Sequence, residues 1–155
     1  MRSPKYKVLL TCSAGGHLLQ MYRLLEPVFS HYDRVWVALS ASDSRNLLAN
    51  ERVIWAYGPT NRNFINLVRN FFLSCKVLYR EKPTCIISTG AAVAIPLIVL
   101  GRIMGIKTVY IESFARQSGL SITGLILYPI VNEFIVQNKN LCNDYPRARF
   151  LGTVY

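Results

Sequence analysis

Short, unbroken apolar runs alternate along this chain with longer stretches in which apolar residues return every three to four positions. The runs Lys7–Cys12, Arg34–Leu39, Arg52–Ala56, Cys85–Ser88, Lys107–Ile111 and Glu133–Gln137 predict strands. The stretches Leu18–Phe29, Ser44–Asn50, Arg62–Arg80, Ala92–Met104 and Ser121–Leu127 predict helices, and Phe150–Tyr155 predicts a last strand or the start of a linker. Pro83 stops the longest helical stretch. Pro96 falls in the first turn of the next helix or kinks it, and Gly105 suits its C-terminal cap. Strands that are apolar throughout, rather than alternating, belong to a parallel sheet covered on both faces. Strand–helix alternation connects such a sheet by crossovers. The expected fold is α/β: a Rossmann-like parallel sheet with helices on both faces, in one domain over residues 1–155.

Composition adds a direction to this picture. Hydrophobic residues make up 52% of the chain and charged residues 17%, which leaves apolar surface for a subunit interface or a membrane. The formal net charge is +10, which favours an anionic partner. The basic residues are scattered among apolar ones rather than massed in a run, so an acidic lipid surface or a phosphorylated substrate fits better than nucleic acid. Cys12, Cys75, Cys85 and Cys142 form no C-x-x-C pair, which removes the usual signs of zinc or dithiol chemistry and suits a reduced, cytoplasmic compartment. The apolar run after the basic N-terminus is too short for a signal peptide. No stretch reaches the ~18–20 apolar residues of a membrane span; Ala91–Leu100 stops at Gly101-Arg102 and reads as a buried helix.

Any membrane contact is therefore expected to be peripheral. The candidate is the helix predicted over Arg62–Arg80, where Phe64, Leu67, Val68, Phe71, Cys75 and Leu78 share a face widened by Ile65, Phe72 and Tyr79. Arg62, Arg69, Lys76 and Arg80 lie elsewhere on it, a pairing suited to an anionic leaflet. The competing reading packs the apolar stripe on the sheet. A mixed arrangement keeps Phe64, Phe71 and Phe72, with Arg69 and Lys76, toward the membrane.

Three polar clusters fall at predicted carboxyl ends of strands, where doubly wound sheets bind ligands. Ser13-Ala14-Gly15-Gly16-His17 joins the first strand to the first helix. Its glycines permit positive φ and close backbone approach, and the helix end suits a phosphate. His17 is placed to act as a general base or to be a capping residue. Ser88-Thr89-Gly90 is a second small-residue turn, suited to phosphate or merely connecting. Glu112 leaves a strand toward the expected cleft, where a carboxylate orients a hydroxyl or takes its proton; Arg116 follows as a phosphate clamp, unless the two form only a local ion pair. Neither a G-x-G-x-x-G fingerprint nor a P-loop is present, which weighs against an independent nucleotide-binding domain. With no D-x-D pair or ligand-spaced carboxylate cluster, no metal and no cofactor are expected.

The ordered set Ser13–His17, Ser88-Thr89-Gly90, Tyr110-Ile111-Glu112-Ser113-x-Ala115-Arg116, Tyr128-Pro129 and Phe134-x-Val136-Gln137 resembles the asparagine-linked glycosylation fourteen family, which includes the bacterial PssD-like polysaccharide proteins. The resemblance implies the N-terminal, acceptor-binding half of a GT-B glycosyltransferase. A separate small subunit would then bind the nucleotide sugar, and the acceptor would be a polyprenyl-diphosphate-linked saccharide, in bacteria one of capsule or exopolysaccharide synthesis. The first turn also resembles the acceptor loop of the peptidoglycan N-acetylglucosaminyltransferase. That likeness puts Gly15, Gly16 and His17 toward the lipid diphosphate and acceptor sugar. On this reading His17 and then Glu112 are the catalytic candidates, with Ser13, Gly15, Gly16, Ser88, Thr89, Gly90 and Arg116 holding the acceptor. The implied location is the cytoplasmic face of the plasma membrane. The rival reading is a non-catalytic membrane scaffold that recruits and activates a catalytic subunit.

Overall fold

The computed structural model describes residues 6–29, 32–60 and 63–153. In chain order the elements are β1 (Lys7–Cys12), α1 (Gly16–Phe29), β2 (Asp33–Leu39), α2 (Ser42–Leu47), β3 (Val53–Ala56), α3 (Phe64–Glu81) and β4 (Cys85–Ser88). They continue with α4 (Ala94–Ile103), β5 (Lys107–Ile111), α5 (Ile122–Leu127), β6 (Glu133–Val136), α6 (Leu141–Asp144) and β7 (Ala148–Phe150). Among the described residues the seven strands form one sheet in the order β3-β2-β1-β4-β5-β6-β7. Each pairing is parallel.

The pleat divides each strand between two cores. Val8, Leu10 and Cys12 of β1 meet Leu18, Met21 and Leu25 of α1 on one face. Leu9 joins Ile86, Tyr110 and Phe134 beneath Val77 and Leu78 of α3, Leu97 and Ile98 of α4 and Leu127 of α5 on the other. This accounts for the unbroken apolar runs: a strand covered on both faces has no polar side to show. The chain leaves β1 toward one face and β4 toward the other, so their adjacent carboxyl ends open a crevice between the first and fourth strand–helix turns.

Three expectations about elements change. Helix α1 begins at Gly16, two positions before the first apolar-periodic residue. The last strand is Ala148–Phe150 rather than Phe150–Tyr155, follows the four-residue α6 that periodicity did not show, and pairs with β6 through Ala148 opposite Phe134. Residues 154 and 155 of the predicted tail lie outside the described residues, as do residues 1–5 and Arg62.

The third change concerns α3, which is turned inside out. Asn66, Asn70 and Ser74 are buried, whereas Phe64, Phe71 and Phe72 are 76%, 43% and 66% exposed. Hydrogen bonds make the polar burial tolerable. Asn70 clamps both backbone polar groups of Tyr57, accepting from its N–H at 2.9 Å and donating to its carbonyl at 2.9 Å. Asn66 donates to the Pro59 carbonyl at 2.9 Å, and Ser74 donates to the Asn70 carbonyl at 2.6 Å. Val77 and Leu78, with the half-buried Leu73, carry the C-terminal half of the helix into the core, so the reading that packed the whole apolar stripe on the sheet does not hold. Arg69 lies with its guanidinium carbon 5.8 Å from the Tyr57 ring centre, and Lys76 is exposed. Helix α3 packs on α4 and α4 on α5. On the same side of the sheet, Ile103 at the end of α4, Met104 after it, and Ile122, Leu125 and Ile126 of α5 are also exposed. Among the described residues no helix is long and apolar enough to cross a membrane.

Candidate functional site

At the end of β1 the backbone turns at Gly15, whose φ of +74° suits glycine, and the Gly15 carbonyl accepts the first helical bond of α1 from Leu19 at 3.0 Å. His17 thus stands on the first turn of a 14-residue helix. At the end of β4 the chain turns again, with φ of +125° at Gly90 and +72° at Ala91. The two turns are tied to each other. His17 Nδ1 lies 2.8 Å from the Thr89 carbonyl, and Thr89 Oγ1 donates to the His17 carbonyl at 2.7 Å.

The first of these contacts assigns the imidazole tautomer. A carbonyl oxygen only accepts, so Nδ1 carries the hydrogen. A neutral ring then keeps its lone pair on Nε2. Gly90 makes the arrangement possible, because a Cβ there would lie 2.9 Å from His17 Cε1 and 3.0 Å from Nδ1. Tyr110 supports the same corner from below. It is fully buried, stacks on Phe134 with ring centres 5.1 Å apart, and its hydroxyl lies 3.2 Å from Ser121 Oγ. Burial, then the neighbouring Glu112 charge, push the Tyr110 phenol well above its ordinary range, partly offset by the Ser121 hydrogen bond and Arg116.

His17 lines a cleft of about 750 Å3. Ser13 lies beside it, Leu39 and Pro59 form one wall, and Arg116, Ser121, Ile122 and Ile126 come from the β5–α5 segment. Pro59 is held by Asn66, so the inward polar face of α3 shapes the cleft. Of the predicted site residues, Ser13, His17 and Arg116 share this cleft. The exposed Arg116 guanidinium makes no hydrogen bond or ion pair among the described residues.

Several others are placed differently from the sequence expectation. Glu112 does not open into the cleft: it is 0% exposed. Its Oε1 accepts from the Ser113 N–H at 2.9 Å, and its Oε2 accepts from the Ser121 N–H at 2.9 Å and the Ser121 hydroxyl at 3.0 Å. Gly124 leaves room for this carboxylate, since a Cβ there would overlap Oε2. Glu112 therefore closes the 113–121 loop onto the start of α5. Ser88 and Thr89 are likewise buried, with Ser88 Oγ accepting from the Gly90 N–H at 3.0 Å and Thr89 holding His17. Their hydroxyls build the turns rather than face a ligand. The Gly15 N–H, expected to meet a phosphate, instead donates to Asp43 Oδ2 at 2.7 Å.

Sequence reasoning missed Asp43, Asn66, Asn70, Tyr110 and Gly124. For Asp43 a signal existed: the polar triplet Ser42-Asp43-Ser44 follows the second strand at its carboxyl end. The asparagines sit on a face that a helical wheel reads as solvent. Tyr110 and Gly124 act through buried neighbours that only the fold brings together.

Known proteins agree with this architecture. The chain superposes on the crystal structure of Acinetobacter baumannii MurG with a TM-score of 0.70 at 16% identity, over 86% of this chain and 41% of that one, a likeness of fold. The UDP-N-acetylglucosamine transferase subunit ALG14 of Debaryomyces hansenii is 29% identical over 174 residues, covering 94% of this chain and 75% of that protein. The human subunit of the same name is 25% identical over 179 residues, covering 95% and 82%. The family model "Oligosaccharide biosynthesis protein Alg14 like" matches residues 58–154, from the loop clamped by Asn70 to the residues beyond β7, and the chain belongs to that family.

Proposed function

We propose that residues 1–155 form the acceptor-binding subunit of a two-component inverting glycosyltransferase. Its partner would be a smaller GT-B half that holds a nucleotide sugar. The acceptor we propose is a sugar carried on a polyprenyl diphosphate, such as an intermediate of capsule or exopolysaccharide assembly. Family membership and the relatives named as subunits of a UDP-N-acetylglucosamine transferase support the reaction class.

The observation that carries the reading is the contact of His17 Nδ1 with the Thr89 carbonyl, which assigns the proton to Nδ1, at a cleft between the carboxyl ends of β1 and β4. In the step proposed, an acceptor hydroxyl attacks the anomeric carbon of the donor sugar. The bond from that carbon to the nucleotide diphosphate breaks, and the hydroxyl proton passes to His17 Nε2. The Thr89 carbonyl then steadies the imidazolium through Nδ1–H. Glu112 acts at one remove, by fixing the loop that carries Arg116. The outward apolar face of α3, with Phe64, Phe71, Phe72, Arg69 and Lys76, meets an anionic membrane peripherally and brings the cleft to its lipid-borne substrate.

The test is reconstitution of the chain with a GT-B C-terminal-half subunit, labelled UDP-N-acetylglucosamine and a lipid-diphosphate-linked sugar. Transfer should require both proteins and fall about 100-fold or more in His17→Ala, the scale of a lost general base. Transfer by this chain alone would sink the two-component reading. Unchanged turnover in His17→Ala would favour the scaffold reading, to which the internally bonded Ser88, Thr89 and Glu112 also lend themselves.

A further inference from the structure

The glycine turn at a helix start invites the placement of a phosphate on it, yet here a carboxylate already occupies it. The Gly15 N–H donates to Asp43 Oδ2 at 2.7 Å, a short, charge-assisted contact. Asp43 is exposed, but the turn that carries it is fixed. It lies in the first turn of α2, beside Ser44, which is fully buried and pins the turn by accepting from the Ala41 N–H at 2.8 Å and donating to the Leu39 carbonyl at 2.7 Å. The end of β2 therefore delivers the carboxylate to the end of β1.

A second observation agrees. Around this turn the cleft is lined by Ser13 and His17, whereas Gly15 lines a separate hollow of about 540 Å3 with Leu18, Leu19, Asp43, Asn46 and Leu47. An anion approaching the Gly15 N–H would meet a like charge already bonded to it. Across the cleft stands Arg116, the cation among its described lining residues, on the segment that also brings Ile122 and Ile126 to the rim. Those two isoleucines are 79% and 43% exposed, as is their α5 neighbour Leu125 at 53%. A linear acceptor of sugar, diphosphate and hydrocarbon has one favourable orientation here: sugar to His17, diphosphate to Arg116, hydrocarbon over α5.

We infer that Asp43 is a positioning residue: it holds the glycine turn in the shape that presents His17 and closes that turn to anions, so that the acceptor's diphosphate seats at Arg116. The inference deepens the acceptor reading above and rests on it.

The experiment is a titration of the uniformly 15N-labelled full chain with inorganic pyrophosphate, followed through backbone amide signals. In the wild type, amides of residues 114–117 shift while Gly15 does not, and Arg116→Gln abolishes the response. In Asp43→Ala the Gly15 amide exchanges with solvent roughly tenfold faster, as expected for the loss of a charge-assisted hydrogen bond, and now shifts with pyrophosphate. Asp43→Asn, which keeps an acceptor oxygen, restores slow exchange. A wild-type Gly15 shift matching or exceeding that of residues 114–117 would overturn the inference and leave the acceptor reading standing. Absence of any cleft response in the wild type would remove both. Unchanged Gly15 exchange in Asp43→Ala would end the positioning claim. Should that variant fail to fold, the wild-type and Arg116→Gln titrations still decide where the diphosphate sits.

Discussion

Gly90→Ala isolates the contact on which the His17 geometry depends. A methyl group at this position would lie 2.9 Å from His17 Cε1 and 3.0 Å from Nδ1, so the ring must retreat by roughly half an ångström to reach ordinary contact. That movement stretches or breaks the 2.8 Å bond to the Thr89 carbonyl. The backbone adds its own penalty: at φ +125° an L-residue is strained by about 1–3 kcal/mol. With about 1 kcal/mol for the hydrogen bond, the variant should lose about 2–4 kcal/mol. Urea denaturation followed through Trp36 and Trp55 fluorescence measures this directly. Displacing the proposed base should also lower kcat about 10- to 100-fold in the reconstituted reaction. The decisive measurement is a double-mutant cycle with His17→Ala. Removing the imidazole relieves the clash but not the backbone strain, so Gly90→Ala should cost at least about 1 kcal/mol less in that background. If the two effects add to within about 0.3 kcal/mol, the steric account of Gly90 is wrong.

Three other outcomes follow from the structure. Glu112→Gln exchanges a buried carboxylate that accepts three hydrogen bonds for a group with one acceptor oxygen, and should cost about 2–4 kcal/mol in urea denaturation; a stability within error of the parent chain would contradict the assignment. Asn70→Ala removes both clamps on Tyr57 and should cost about 2 kcal/mol by the same assay, while raising KM through a loosened cleft wall; an unchanged KM would detach that wall from substrate binding. Phe71→Ser with Phe72→Ser should leave stability within about 0.5 kcal/mol, because these side chains are exposed, yet reduce sedimentation with vesicles containing anionic phospholipid. Retained vesicle binding would move the membrane contact elsewhere.

The sheet was largely legible because buried parallel strands leave a local signature. Lys7–Cys12, Cys85–Ser88 and Lys107–Ile111 are unbroken apolar runs with sharp polar or glycine boundaries, and they coincide with β1, β4 and β5. The short edge strand β7 was not so marked, since Arg149 interrupts it and its stability comes from pairing with β6. At the cleft, residue type and strand-end position singled out His17 and Arg116, which the fold brings to one cavity. They misplaced Glu112, because a carboxylate leaving a strand looks the same in sequence whether it meets solvent or three donors from its own loop. Helix α3 shows a further limit. Periodicity located an apolar stripe, but only the asparagine clamps decide which way that stripe points.

That inverted helix divides its labour in an unusual way. Over its first half the side chains that fasten it to the domain are two amides, which depend on direction and partner, while Phe64, Ile65, Phe71 and Phe72 face outward and only the second half packs apolar residues into the core. Substitutions among the outer aromatics are therefore free to track the thickness, charge or curvature of whatever surface they touch without endangering the fold beneath. Asn66 and Asn70 have no such latitude, because a leucine in either place would strand the Pro59 or Tyr57 peptide groups without a partner.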